Sequence, residues 1–176
     1  DESSRQERLE TLLNGRYPGL ELLSNEMKGL EASASNLHLL FKARVSSLAA
    51  PAGQGLEVRR PAGLDGFSSR WAGLVRRATA LRLPSPALHE LRFRYVLPPG
   101  WSADKLPPEA VEAGAFGSYS IRWGQEAGAV SVENRFELTA HTVPVADYER
   151  FRAFLERYDA ALRVPLALRR AQEVTP

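Results

Sequence analysis

From residue 117 to residue 138 the chain alternates between side chains that avoid water and side chains that seek it. Gly117, Tyr119, Ile121 and Trp123 fall on one side, with Ser118, Ser120 and Arg122 on the other. After a turn over residues 124–129, Val130, Val132, Phe136 and Leu138 resume the apolar side, and Asn134 is the one break in the pattern. A period of two sends successive side chains to opposite faces of a pleated strand, so this stretch predicts a β-hairpin with one face in a core. The same period recurs at Leu91, Phe93, Tyr95 and Leu97 against Arg92, Arg94 and Val96, where Pro98-Pro99-Gly100 ends the strand. It recurs again at Leu37, Leu39, Phe41, Ala43 and Val45 against His38, Leu40, Lys42 and Arg44. Residues 20–28 and 56–60 read as further strands, stopped by Gly29 and Pro61, with turn chemistry over residues 51–55.

Three segments carry the helical period instead. Residues 4–13 place Leu9, Leu12 and Leu13 in a narrow stripe, with Asn14-Gly15 as the expected stop. Residues 69–80 put Trp71, Leu74, Val75 and Ala78 on one face, weakened by Gly73. The strongest helix spans residues 144–163, opening at Pro144 and lining up Tyr148, Phe151, Phe154, Leu155, Tyr158 and Leu162. Residues 101–114 read as a proline-containing connection, and Leu166 and Leu168 as a last short strand. Most links between strands are too short for crossover helices, so the expected fold is mainly β (α+β). It is an antiparallel, β-sandwich-like sheet with a C-terminal amphipathic helix packed on it. The expected organisation is a linker or short helix over residues 1–16, a β-rich accessory domain over 17–170 and a tail over 171–176.

Chemistry is constrained mostly by exclusion. The 176 residues contain no cysteine, which rules out a thiol nucleophile, disulfides and thiolate-bound metals within the chain. The three histidines, His38, His89 and His141, are not paired at metal-ligand spacing. Gly53-Gln54-Gly55 lacks the rest of a dinucleotide loop, and no serine lies in a nucleophile-elbow motif. Asp147, Glu149 and Glu156 read as the solvated charge of the last helix, and Glu133 and Glu137 as outward strand positions. No catalytic residue, cofactor site or metal site is therefore expected. The net charge of +2 is too slight to predict nucleic acid as a partner. No apolar run reaches the length of a membrane span. The chain opens at Asp1 on a polar segment without Met and reads as a mature or excised fragment.

A candidate binding surface remains. Arg92 and Arg94 alternate on one strand, and Arg122 and Arg135 lie on the following hairpin. Paired suitably, these strands would present a basic patch to an anionic glycan or lipid head group; otherwise the four are an ordinary exposed arginine face. Trp101, just after the Pro-Pro-Gly break, is the tryptophan expected to be exposed and able to stack on a sugar, whereas Trp123 follows the buried alternation.

The run Tyr95-Val96-Leu97-Pro98-Pro99-Gly100-Trp101, then Leu106-Pro107-Pro108, then Gly114-Ala115-Phe116-Gly117-Ser118-Tyr119, then Val143 through Leu155 and Ala161 through Leu168, resembles one family. It is similar to the C-terminal domain of unknown function in bacterial transglutaminase-like proteins, the likeness being carried by residues 88–170. The resemblance implies a β-rich module that follows a papain-like core, and a periplasmic or cell-envelope setting. It also implies that the Cys-His-Asp chemistry belongs to that core, which would be this domain's partner. It carries no catalytic residue onto this chain. Three readings of function stand side by side: a non-catalytic accessory module partnering that core or another envelope protein, a freestanding envelope module binding an anionic glycan or another protein, and a hydrolase with a dispersed triad using His89 or His141.

Overall fold

The computed structural model describes residues 2–28, 38–46, 48–58, 65–83 and 87–170. They divide into two units, one built from the described residues up to Ala50 and one from those beginning at Pro51, whereas the sequence pattern groups residues 17–170 together.

In the first unit, helix α1 (Glu2–Arg16) is followed by the antiparallel pair β1 (Leu20–Lys28) and β2 (His38–Val45). Leu9 and Leu13 of α1 pack with Leu20, while Leu12 of the same predicted stripe is exposed. The expected stop at Asn14-Gly15 falls inside the helix. The Asn14 amide donates to the carbonyls of Glu10 (3.1 Å) and Leu20 (3.3 Å), and its oxygen accepts from the Leu20 N–H (3.1 Å). Its hydrogen-bonding capacity thus ties the helix to the strand that follows rather than ending it. The reversal is made at Gly19, whose φ of 78° an L side chain resists.

The second unit holds the remaining elements. They are β3 (Ala49–Ala52), which begins at the junction, β4 (Gly55–Val58), α2 (Phe67–Ala72), β5 (Leu81–Arg82), β6 (Ala87–Val96), β7 (Trp101–Lys105), β8 (Ala110–Gly114), β9 (Gly117–Glu126), β10 (Ala129–Leu138), β11 (Thr142–Val143), α3 (Tyr148–Arg163) and β12 (Leu166–Arg170). A four-stranded sheet runs in the order β6-β10-β9-β8, a second in the order β3-β4-β12-β7, and β5 pairs with β11. β10 is antiparallel to both β6 and β9, β9 to β8, β12 to both β4 and β7, and β11 to β5. The expected mainly β architecture with a C-terminal helix is what the chain adopts.

The inward faces of β9 and β10 and the apolar stripe of α3 form the main core. Ile121, Val132, Phe136 and Leu138 meet Tyr148, Phe151, Phe154, Leu155, Tyr158 and Leu162, every one of them buried. Aromatic rings supply much of the contact: Phe136 lies 4.8 Å from Tyr158 and Phe67 lies 4.7 Å from Phe136, centroid to centroid. A second cluster, Val58, Ala103, Val130, Leu166 and Leu168, underlies the other sheet. Tyr95 and Trp123 border both clusters and join them.

Several sequence expectations are corrected. The connection over residues 101–114 contains two strands, β7 and β8, separated by Pro107 and Pro108. Their short lengths hide the period of two, and β7 pairs with β12, which is remote in sequence. The helix expected over residues 69–80 is only α2, and Leu74 and Val75 of its predicted face are 57% and 69% exposed. Pro51 lies in β3, an edge strand, where a sheet tolerates proline. The hairpin turn shrinks to Ala127 and Gly128. The stop at Gly29, Leu37 of the expected second strand, the strand residues 59–60, Pro61 and the tail over 171–176 lie outside the described residues.

Gly117 starts β9 at φ 152°, and a Cβ there would run into the backbone carbonyl of Glu137 across the pair. Gly117→Ala is expected to destabilise the fold by about 2–4 kcal/mol, since neither backbone can yield without breaking the ladder; chemical denaturation checks it. Gly114→Ala, a position with open space around it, is the control expected to change stability by less than about 1 kcal/mol.

Candidate functional site

Strand pairing does bring the four predicted arginines onto one surface, the outer face of β6, β10 and β9. The register sets Glu133 between Arg92 on one side and Arg122 on the other, and Arg135 opposite Glu90. Arg92 and Glu133 approach to 3.6 Å, and Arg94 reaches Glu126 at 3.3 Å. Arg135 binds both Glu90 and Glu137, the latter at 3.1 Å. Four arginines therefore share the face with four glutamates, so the surface is a charge-balanced checkerboard and not the basic patch an anionic polymer would need. A cleft of about 120 Å³ lies among these residues.

Trp101 belongs to β7 in the other sheet and is half-buried against the second cluster, with the Arg170 guanidinium 5.7 Å over its ring. Trp71 and Trp123 pack on the main core. The tryptophans do not make an exposed platform.

The histidines are equally separate. The His38 side chain lies outside the described residues, and His141 is exposed at a bend. His89 lies within β6, half-buried, with its ring edge-on to Phe67 at 5.5 Å. Desolvation by that packing, helped by the nearby Arg70 charge, holds its pKa below the usual histidine value of 6.5. Among the described residues no group of three His, Asp or Glu side chains could hold a metal ion.

The polar groups that sequence reasoning missed lie inside. Asp159 of α3 is 1% exposed. Its Oδ1 accepts from the Phe67 N–H (2.8 Å), and its Oδ2 accepts from the Ser68 N–H (2.9 Å) and the Ser68 hydroxyl (2.6 Å). The carboxylate thus caps the N-terminus of α2 from 91 or 92 residues away. Beside it the Tyr158 hydroxyl donates to Asn134 Oδ1 at 2.8 Å, which explains why an amide occupies the inward position that broke the strand pattern. Both residues had a signal: Asp159 lies four residues after Leu155 and three before Leu162, inside the apolar stripe, and Asn134 lies in an apolar row. With its oxygens turned to these donors, Asp159 is a clamp between α3 and α2.

A third polar cluster fastens the edge strand β8 to α3. Arg157 donates twice to Glu112 (2.9 and 2.6 Å), and the Tyr119 hydroxyl donates to the same carboxylate at 2.9 Å. The hydrogen bond from Arg157 holds the Glu112 pKa down. Desolvation, with the Glu112 bond next, pushes that of Tyr119 up to about 12, so Tyr119 stays a proton donor. These are the properties of a brace.

The family model described as "Domain of Unknown Function with solved-structure structure (DUF3858)" matches residues 66–168, more than half of the chain. The chain belongs to the DUF3858 family. The DUF3858 span begins at the N-cap of α2 and ends in β12, so it contains both ends of the Asp159 clamp. Among solved structures, one described as "a putative protease from Parabacteroides distasonis ATCC 8503" is similar, with a TM-score of 0.55 and 21% identity. The likeness covers 66% of this chain and 24% of that one, so the chain spans only part of that protein's length. At that identity the likeness is one of fold. No curated protein matches the chain.

Two measurements test the polar cores. Asp159→Ala should cost about 3 kcal/mol, because it strands buried backbone donors, and should selectively speed amide exchange at Phe67 and Ser68. For His89 the pKa is lower folded than unfolded, so its contribution is fully present above the unfolded value of 6.5 and is lost as pH falls toward the folded value. His89→Gln should therefore flatten the drop in stability between about pH 7 and pH 5, measured by thermal melts across that range.

Proposed function

We propose that this DUF3858 chain acts as a non-catalytic C-terminal accessory module of a larger, transglutaminase-like cell-envelope protein, positioning or supporting a core that carries the chemistry. The observation that supports this most directly is what its polar groups do. Asp159, Asn134, Tyr158, Glu112, Tyr119 and Arg157 are all committed to holding helices on one another or on a sheet. The match to about a quarter of a longer chain described as "a putative protease" is consistent with a module that serves a larger enzyme. The absence of cysteine is consistent with it too, since a papain-like nucleophile must come from elsewhere. A periplasmic address follows from the sequence resemblance as part of the same proposal. The reading as a glycan-binding surface loses its support in the charge balance of the arginine face.

The test compares the isolated chain, the longer parent protein and the parent lacking this region, assayed for peptide hydrolysis and for amine incorporation into a protein acceptor. The isolated chain should be inactive. The truncated parent should keep kcat within about twofold while KM rises severalfold, the mark of lost uniform binding. Hydrolysis by the isolated chain that disappears on His89→Ala or His141→Ala would overturn the proposal.

A further inference from the structure

β6 is the outermost strand of the four-stranded sheet, hydrogen-bonded to β10 on one side and, among the described residues, to no strand on the other. Soluble proteins blunt such edges with shortness, a bulge, proline, a covering segment or charged side chains, lysine above all, because an open edge is a template for another strand. Of the devices written in its own residues β6 has only charge, and Glu90, Arg92 and Arg94 are of both signs, so a second copy can match them. It runs for ten residues, contains neither proline nor lysine, and keeps an unbroken register with β10 from Ala87 to Val96. Its inward side chains show the consequence. Leu91 and Phe93 face the core side yet are only half-buried, while Ile121 and Phe136, facing the same way from β9 and β10, are fully covered. What the inner strands have and β6 lacks is a neighbour on each side in the plane of the sheet.

We propose that β6 is a self-association edge, at which two copies of this chain join their sheets by antiparallel β6–β6 pairing about a two-fold axis through Arg92. The order of side chains selects a second copy as the occupant. Along its outer face β6 reads Leu88, Glu90, Arg92, Arg94, Val96. An antiparallel copy centred on Arg92 sets Leu88 beside the second copy's Val96 and Glu90 beside the second copy's Arg94, each pair occurring twice. Leu88 and Val96, 53% and 72% exposed in the single chain, then cover one another. On the inner face Leu91 lies beside Phe93. Moving the centre to residue 91 sets Leu88 against Arg94, and moving it to residue 93 sets Arg92 against Arg94 and Glu90 against Val96, so the side chains choose one register. The cost is Arg92 facing its own copy on the axis, offset by Glu133, which lies 3.6 Å from Arg92 within each chain.

Sedimentation velocity of the 176-residue chain over a range of concentrations should show a dimer that dissociates on dilution. Glu90→Arg or Arg94→Glu alone should weaken it roughly tenfold, because each reversal places like charges in both symmetric contacts. The two together should restore it, since the pair between copies is swapped while the pairs within each chain, Glu90 with Arg135 and Arg94 with Glu126, stay broken, so a folding defect could not be rescued this way. Arg92→Gln should tighten it. A monomer at every concentration, or a dimer that both single reversals leave unchanged, overturns the proposal. So do β6 amides that gain exchange protection only when the chain is joined to its longer parent, a result that would assign the edge to that parent instead.

Discussion

Asp159 shares a helix face with Tyr148, Phe151, Phe154, Leu155, Tyr158 and Leu162, a setting in which a carboxylate loses its water. An ionised group so buried costs several kcal/mol unless hydrogen bonds replace its hydration. Three donors from Phe67 and Ser68 do so here. The exchange runs both ways. α2 is six residues long, below the length at which a helix holds itself together, and its N-cap residue, Gly66, offers no side chain to satisfy the orphan donors. Asp159 on α3 therefore caps α2, and with it positions Phe67, whose ring lies within 5.5 Å, centroid to centroid, of His89, Phe136 and Tyr158.

From that point the packing spreads. Phe136 stacks on Tyr158, which donates to Asn134 two residues along the same strand. Helix and sheet are thus held by aromatic contact and a polar bond in adjacent rows, an arrangement that fixes the rotation of α3 as well as its distance. Tyr148 adds a bond from its hydroxyl to the Leu74 carbonyl (2.7 Å), anchoring the segment that leaves α2. Arg157 and Glu112 do the same at the opposite, solvated margin, where the pair is worth less but still holds β8 against the helix.

The legibility of the sequence follows the range of the interactions. Elements whose pattern is local were plain: the β9–β10 hairpin alternates over residues 117–123 and 130–138, and α3 carries four turns of stripe. β7 was hidden because five residues show too little period, and because its partner β12 lies more than sixty residues away. α2 was overextended for a related reason. Trp71, Leu74 and Val75 are spaced as a helix face, but the cap from α3 reaches only the first turn of α2, and the segment after Gly73 is tied to α3 outside the helix by the bond from Tyr148 to the Leu74 carbonyl. The two buried polar residues were visible as interruptions of apolar rows, yet an interruption reads as a flaw until its partner is known. Asn134 and Asp159 are each explained only by a residue on another element.

The arginine face shows the opposite limit, where composition is clear and meaning depends on register. Seen along one strand, Arg92 and Arg94 suggest an anion site. Seen across three, each is set against a glutamate, Arg92 against Glu133 of β10 and Arg94 against Glu126 of β9. Exposed pairs of this kind contribute at most about 1 kcal/mol each, so stability is not what they supply. Their effect is on pairing: a one-residue slip of β6 against β10 would turn the charged row toward the core and the apolar row toward water. The same reasoning explains why the charge pattern matters most at the free edge of β6, where no turn fixes the alignment of an incoming strand and the order of charges along it is what remains to choose the register.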